Sequence, residues 1–156
     1  MWSSPNPAVG CAIVKSDEVL ATGFTHPTGQ AHAEVHALSQ VADATGSTVY
    51  VTLEPCAHTG RTPPCTQALI EAGVARVVIA CIDPDTRVAG RGVEQLRSAG
   101  IDVTIGVCEA EAADELAGFF LRLKRGYGRV TVKMAMSADG RTAMASGESQ
   151  WITGEE

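Results

Sequence analysis

One imidazole, one carboxyl and two thiols stand at spacings that could build a reactive metal centre. His32-Ala33-Glu34 supplies the first two groups. The stretch Glu54-Pro55-Cys56-Ala57-His58-Thr59-Gly60-Arg61-Thr62-Pro63-Pro64-Cys65 supplies both thiols among turn residues. A catalytic zinc takes three protein ligands and leaves its fourth position to water. His32, Cys56 and Cys65 are the three candidate ligands, and Zn2+ is the metal that suits them. A carboxylate near the metal but not on it moves protons, which is the candidate catalytic role of Glu34.

Rival assignments are weighed on spacing and chemistry. His36 lies four residues after His32, as in the zinc-protease motif H-E-x-x-H, but Ala33 occupies the position of that motif's Glu. His36 therefore reads as structural. Glu54 could be a ligand, although a carboxylate before a turn more often accepts backbone amides of the loop. A closed four-ligand structural zinc is the non-catalytic alternative, and only three ligands are evident here. A site of two Cys and one His is formally neutral with zinc, so it acidifies water less than a three-His site. Glu34 is then expected to take the proton.

Geometry places the pair His32 and Glu34. Residues two apart in a regular helix point about 200° apart, so they share a site only at the helix's N-terminal lip. Cys65 follows Pro63-Pro64 and opens a helix of its own, proline being favoured at a helix start. The metal would then lie between two helix N-termini, whose partial positive charge favours thiolate.

The elements that must position these groups follow from hydrophobic patterning. Cys11-Ala12-Ile13-Val14 and Val19-Leu20-Ala21-Thr22-Gly23 read as a hairpin across Ser16-Asp17-Glu18. A helix is expected from His32 to about Ala44, stopped at Gly46. The β-branched run from Ser47 to Leu53 is a strand, and a helix from Cys65 to Ala72-Gly73 follows. Ala75 to Cys81 is a continuous apolar run, the mark of a strand covered on both faces. After a loop from Asp83 to Gly92 come a helix from Val93 to Ala99, a strand from Ile101 to Gly106 and a long helix from Glu109 to about Arg125. Strands alternating with helices predict an α/β fold, a three-layer α/β/α sandwich whose opening hairpin makes the central sheet mixed.

Gly126-Tyr127-Gly128 reads as a boundary, dividing a domain of residues 1–127 from a segment of residues 128–156. That segment is expected to hold a strand, Val130 to Met136, and a turn, Ser137 to Arg141, which together cannot close a second core.

The 156 residues carry a net charge of −6, with 45% hydrophobic and 19% charged side chains, so a globular core is expected. The negative charge argues against nucleic acid as a partner, which needs a basic footprint. It leaves an anionic small molecule open, since a few Arg and His residues can hold one phosphate. No run reaches the ~18 apolar residues of a membrane span, and the N-terminus lacks signal-peptide regions, so a cytoplasmic protein is expected. Five cysteines, an odd number, do not read as a disulfide framework. Cys11, Cys81 and Cys108 lie in or beside apolar runs and read as small core residues. Oligomeric state is not legible, and a homo-oligomer is compatible with the chain.

The combination H-x-E, P-C and a second Cys is the zinc-deaminase signature. His32-Ala33-Glu34-Val35-His36-Ala37-Leu38, Tyr50-Val51-Thr52-Leu53-Glu54-Pro55-Cys56 and Gly60-Arg61-Thr62-Pro63-Pro64-Cys65 resemble the pyrimidine deaminase domain of the bifunctional riboflavin-biosynthesis deaminase/reductase family. Ser4-Pro5-Asn6-Pro7-Ala8-Val9-Gly10, Asp83-Pro84 and Val88-Ala89-Gly90-Arg91-Gly92 extend the resemblance. The long interval between Cys56 and Cys65 is its most specific mark, because cytidine and tRNA-adenosine deaminases usually have two residues there. That interval and the acidic charge disfavour the runner-up, a nucleoside or tRNA deaminase. An inactive zinc-stabilised module is the reading from another class.

The resemblance implies a cytidine deaminase-like fold and hydrolysis of 2,5-diamino-6-(5-phosphoribosylamino)pyrimidin-4(3H)-one to the 5-aminouracil analogue and ammonia. It implies zinc on His32, Cys56 and Cys65, with Glu34 protonating the ring nitrogen and then the leaving amine. Asn6, His26, His58 and Arg61 fall where family members contact base and ribose phosphate. Asn offers a donor and an acceptor to a pyrimidine edge, and Arg and His suit a phosphate. Val132-Lys133-Met134-Ala135, Asp139-Gly140-Arg141 and Gly147 to Thr153 resemble the start of the family's reductase domain. In full-length relatives Ala135 and Trp151 would help bind NADPH and Ser149 the substrate, and no reductase activity is expected of this chain alone. Two departures stand out. Relatives usually carry a helix before the Ser-Pro-Asn-Pro turn that would cover one face of the sheet. They also often read Asp-Pro-Asn-Pro where this chain has Asp83-Pro84-Asp85-Thr86.

Overall fold

A tight hairpin starts the sheet. β1 (Gly10–Lys15) and β2 (Glu18–Phe24) are joined by Ser16 and Asp17, both at positive φ (53° and 63°), a two-residue turn whose twist suits antiparallel strands. The computed structural model describes residues 4–86 and 88–149. Along them follow α1 (Ala33–Leu38), β3 (Thr48–Leu53), α2 (Cys65–Glu71), β4 (Arg76–Cys81), α3 (Arg91–Ser98), β5 (Asp102–Ile105), α4 (Glu109–Glu115) and α5 (Ala117–Arg125).

The sheet order is β2-β1-β3-β4-β5. β1 runs antiparallel to both neighbours, while β3, β4 and β5 are parallel, so the sheet is mixed as expected. Cys11, Ile13, Val49, Val51, Val77, Ile79 and Val103 line one face and bury Ala33 and Ala37 of α1, Leu69 of α2, and Val93 and Leu96 of α3. Burying each large aliphatic side chain contributes about 1.5–3 kcal/mol, so this face carries most of the core. Ala80 lies on the opposite face and packs with Leu53, Cys81, Ala112 and Leu116 at α4, giving the third layer. α4 covers that second face only in part. Ala12, Tyr50, Thr52 and Val78 border an open apolar groove beside it, with Tyr50 44% exposed.

The expected elements are present with three corrections. The helix from His32 ends at Leu38 instead of continuing to Ala44. The Ser39 hydroxyl and the Gln40 amide both donate to the His36 carbonyl, and the next amides bond three residues back, which tightens and closes the helix. The helix over 109–125 is two helices, broken at Leu116 (φ −86°, ψ 1°). Leu116 buries against the sheet at that bend, and α5 turns towards the N-terminal segment, where Arg122 donates to the Pro5 carbonyl (2.7 Å). The strand over Val130–Met136 does not form. Val130, Val132, Met134 and Met136 are all exposed, and no ladder pairs this stretch among the described residues. An alternating pattern without a neighbouring strand has nowhere to place its backbone hydrogen bonds. The turn from Ser137 to Arg141 does close, through Ser137 N–H donating to the Arg141 carbonyl (2.9 Å).

Gly23 governs how closely α1 seats. A Cβ there would run into the Ala33 carbonyl oxygen and the Ala37 backbone nitrogen. Gly23→Ala is expected to cost about 1–3 kcal/mol by overpacking, read as a lower midpoint in urea. Gly10→Ala is the control, because its Cβ would meet Thr52 Cγ2 at an ordinary 3.8 Å.

Candidate active site

The site lies at the carboxyl ends of the parallel strands, beside the antiparallel β1. Ligand sites in open α/β sheets favour such a change of strand direction. β3 runs out into Glu54-Pro55-Cys56, and β4 into Asp83. The Gly10 amide donates to the Thr52 hydroxyl (3.1 Å), so the Asn6-Pro7 turn enters at the same end.

His32 is the N-cap of α1, in extended conformation (ψ 166°), and Cys65 is the first residue of α2. Both sit at helix lips, as the spacing argument required. His32 Nδ1 lies 3.3 Å from Cys65 Sγ and 3.6 Å from Cys56 Sγ. The Cys65 amide, the first N–H of α2, points at Cys56 Sγ (3.4 Å). Among the described residues, this is the His/Cys/Asp/Glu group whose geometry could hold a metal ion.

The donor set fits zinc. Tetrahedral bonds of about 2.0–2.1 Å to nitrogen and about 2.3 Å to sulfur put N and S about 3.6 Å apart, close to the separations here. Proton bookkeeping agrees. The hydrogen bond from Cys65 brings Cys56 down to about 4, against burial and with help from His32. The same bond, then burial and the Glu34 charge, pushes Cys65 up. His32 is raised chiefly by its hydrogen bond to Cys56. Metal ligands must be deprotonated, so a divalent ion bound here would release the thiol protons.

Glu34, in the first turn of α1, is 4% exposed. Burial raises its pKa, and its own backbone amide pulls the other way. Its carboxyl faces Cys65 without belonging to the group of possible metal ligands. His36 faces away: its Nδ1 accepts from the Phe24 amide (3.3 Å), and its ring meets those of Phe24 and His26 edge-on. Glu54 accepts backbone amides of the following loop.

Two cavities meet at the metal group. One, of about 300 Å³, is lined by Asn6, His32, Glu34, Cys56, His58, Asp83 and Arg122, among others. The second, of about 540 Å³, shares Asn6, His32, Cys56 and His58 and runs out along Gly60, Arg61 and Thr62. The structure thus gathers Asn6, His58 and Arg61 around His32 and Glu34. His26 lines neither cavity; its ring stacks on Phe24 at 4.8 Å. Ser149 donates to the Thr142 carbonyl (2.8 Å) in the C-terminal segment, Ala135 is exposed, and Trp151 lies outside the described residues.

Three contributors were not legible in the sequence. Arg122 reaches the cavity from α5, far along the chain from both His32-Ala33-Glu34 and Cys65. Thr66, fully buried, donates to the Cys56 carbonyl (3.2 Å) and meets Gln95 Oε1 at 2.7 Å. Thr66 adjoins Cys65 and was open to suspicion for that reason. Arg122 and Gln95 gave no local signal.

An α/β sheet with a His-Cys-Cys group and a buried carboxyl at its strand ends is the arrangement of zinc-dependent nucleobase deaminases. Residues 1–81 match the cytidine and deoxycytidylate deaminase zinc-binding region, and the chain belongs to that family. Residues 129–156 match the RibD C-terminal domain. The riboflavin biosynthesis protein RibD of Escherichia coli K12 is 55% identical over 150 residues, covering 96% of this chain and 41% of that protein. The solved structure of Acinetobacter baumannii RibD is 56% identical with a TM-score of 0.83, covering 98% of this chain and 43% of that one. The deaminase/reductase of Thermotoga maritima superposes with a TM-score of 0.87 at 40% identity, over 99% of this chain and 45% of that one. The chain spans less than half the length of these relatives. No helix among the described residues is long and apolar enough to cross a membrane.

His32→Ala, Cys56→Ala and Cys65→Ala are each expected to lose zinc on gel filtration. Cys108 is exposed and not the core residue expected, unlike the buried Cys11 and Cys81, and Cys108→Ala is expected to keep about one zinc per chain by metal analysis.

Proposed function

We propose that this chain catalyses the hydrolytic deamination of 2,5-diamino-6-(5-phosphoribosylamino)pyrimidin-4(3H)-one to 5-amino-6-(5-phosphoribosylamino)uracil and ammonia, a step of riboflavin biosynthesis. The observation that carries the reading is the buried Glu34 carboxyl beside the convergent donors His32, Cys56 and Cys65. The choice of substrate is supported by likeness to the riboflavin-biosynthesis relatives and by the two-part cavity.

His32, Cys56 and Cys65 would hold zinc, which when bound supplies Lewis acidity to a water molecule in its open position. Glu34 accepts a proton from the attacking water. It passes that proton to the ring nitrogen, then takes the remaining proton of the added hydroxyl and gives it to the exocyclic nitrogen, which departs as ammonia while the hydroxyl becomes the ring carbonyl. Its raised pKa suits a group that must hold a proton between these transfers. Asn6 pairs with the pyrimidine edge, and His58 and Arg61 take the ribose phosphate in the wider cavity. The family resemblance assigns His26 a substrate contact too, and its ring packs on those of Phe24 and His36.

Residues 1–127 form the deaminase unit in this reading, and residues 128–156 begin a reductase unit. Ala135 and Trp151 would serve NADPH there, and Ser149 the reductase substrate. The enzyme works on a small molecule in the cytoplasm.

Ammonia release from the diaminopyrimidine phosphate, assayed beside cytidine, tests the reading. Turnover of the former alone is expected. Glu34→Gln is expected to lower turnover by roughly 10²–10⁴-fold while zinc is retained. Undiminished ammonia release in that variant would remove Glu34 from its role.

A further inference from the structure

We propose that Glu54 is a positioning residue that clamps the two ends of the loop whose Asp83, Asp85 and Val88 line the cavity, and so sets substrate affinity. The inference rests on the deaminase reading above.

Glu54 is 4% exposed and stands two residues before Cys56. Its Oε2 accepts the amides of Asp83 (3.3 Å) and Gly90 (3.0 Å), and its Oε1 those of Gly92 (2.8 Å) and Val93 (3.3 Å). A carboxylate offers about four acceptor sites, and backbone donors fill them, which leaves none for metal or substrate. These donors bracket the loop. Asp83 opens it, and Gly90, Gly92 and Val93 belong to the start of α3, where helix amides lack partners of their own. Between the two ends, Asp85 and Val88 line the cavity that contains His32 and Glu34. The fit is close, because a Cβ at Gly92 would run into the Pro55 carbonyl oxygen and meet Glu54 Cγ and Oε1 at 3.1 Å.

The metal group has separate anchors. The Thr66 hydroxyl holds the Cys56 carbonyl, and the Cys65 amide faces the Cys56 sulfur. Loosening Glu54 therefore frees a cavity wall while leaving the reacting centre in place. A wall that touches substrate equally before and during reaction affects KM more than kcat.

Glu54→Gln tests this in the zinc-loaded 156-residue chain, since the amide keeps the shape but turns an NH2 group towards backbone donors. The expected result has three parts. Zinc content is unchanged, amide exchange at Asp83, Gly90, Gly92 and Val93 is about tenfold faster, and KM is about tenfold higher with kcat within about threefold. Gly92→Ala, which attacks the same joint from the loop side, is expected to give the same pattern. Unchanged exchange at the four amides in both variants would overturn the clamp, as would a fall in kcat that tracks lost zinc at constant KM. Absence of turnover in the unsubstituted chain would refute the deaminase reading, and the exchange comparison would then decide the clamp by itself.

Discussion

Two thiols and an imidazole converge between two helix starts at separations that suit a metal ion, and much of the chain is arranged around that convergence. Each helix contributes its first residue or its cap, and the first amide of α2 points at the Cys56 sulfur. Both helices are short, at six and seven residues, and could not persist alone in water. They hold because the sheet face beneath them is apolar and because Gly23 lets α1 settle directly on β2. The hydrophobic core thus fixes the angle at which the donors meet, and the donors in turn need a metal that binds only when they meet.

The site joins this electrostatic demand to a second one. Glu34 is buried beside sulfur ligands, where a carboxylate is costly unless it can hold a proton. The same placement that raises its pKa brings it to the metal group without making it a ligand. In the proposed reaction, burial and proximity, two consequences of one helix turn, are what suit Glu34 to carry a proton. The second residue of α1 can do this only because His32 has not yet entered the helix.

Much of this was legible in the sequence, for physical reasons that differ by element. The 200° argument located His32 at a helix lip without any knowledge of packing, because it depends only on helix geometry. The continuous apolar run of β4 announced a strand covered on both faces, and its burial is nearly complete. What failed was set by side-chain hydrogen bonds and missing neighbours. Ser39 and Gln40 close α1 early by taking the His36 carbonyl, although the apolar spacing continues to Ala42. The alternation at Val130–Met136 is a strand pattern with nothing to pair with among the described residues. Arg122 lines the cavity and Gln95 meets Thr66 from helices distant in sequence, and no local pattern marks them.

The account turns on an open metal centre with Glu34 beside it and not on it. A zinc-edge X-ray absorption spectrum of the zinc-loaded chain reads that arrangement directly. It should show two sulfur neighbours at about 2.3 Å and two light atoms at about 2.0–2.1 Å, only one of them an imidazole, unchanged in number when Glu34 is replaced by Gln. A third sulfur, a second imidazole, or loss of a light neighbour with the Glu34 carboxylate would contradict it.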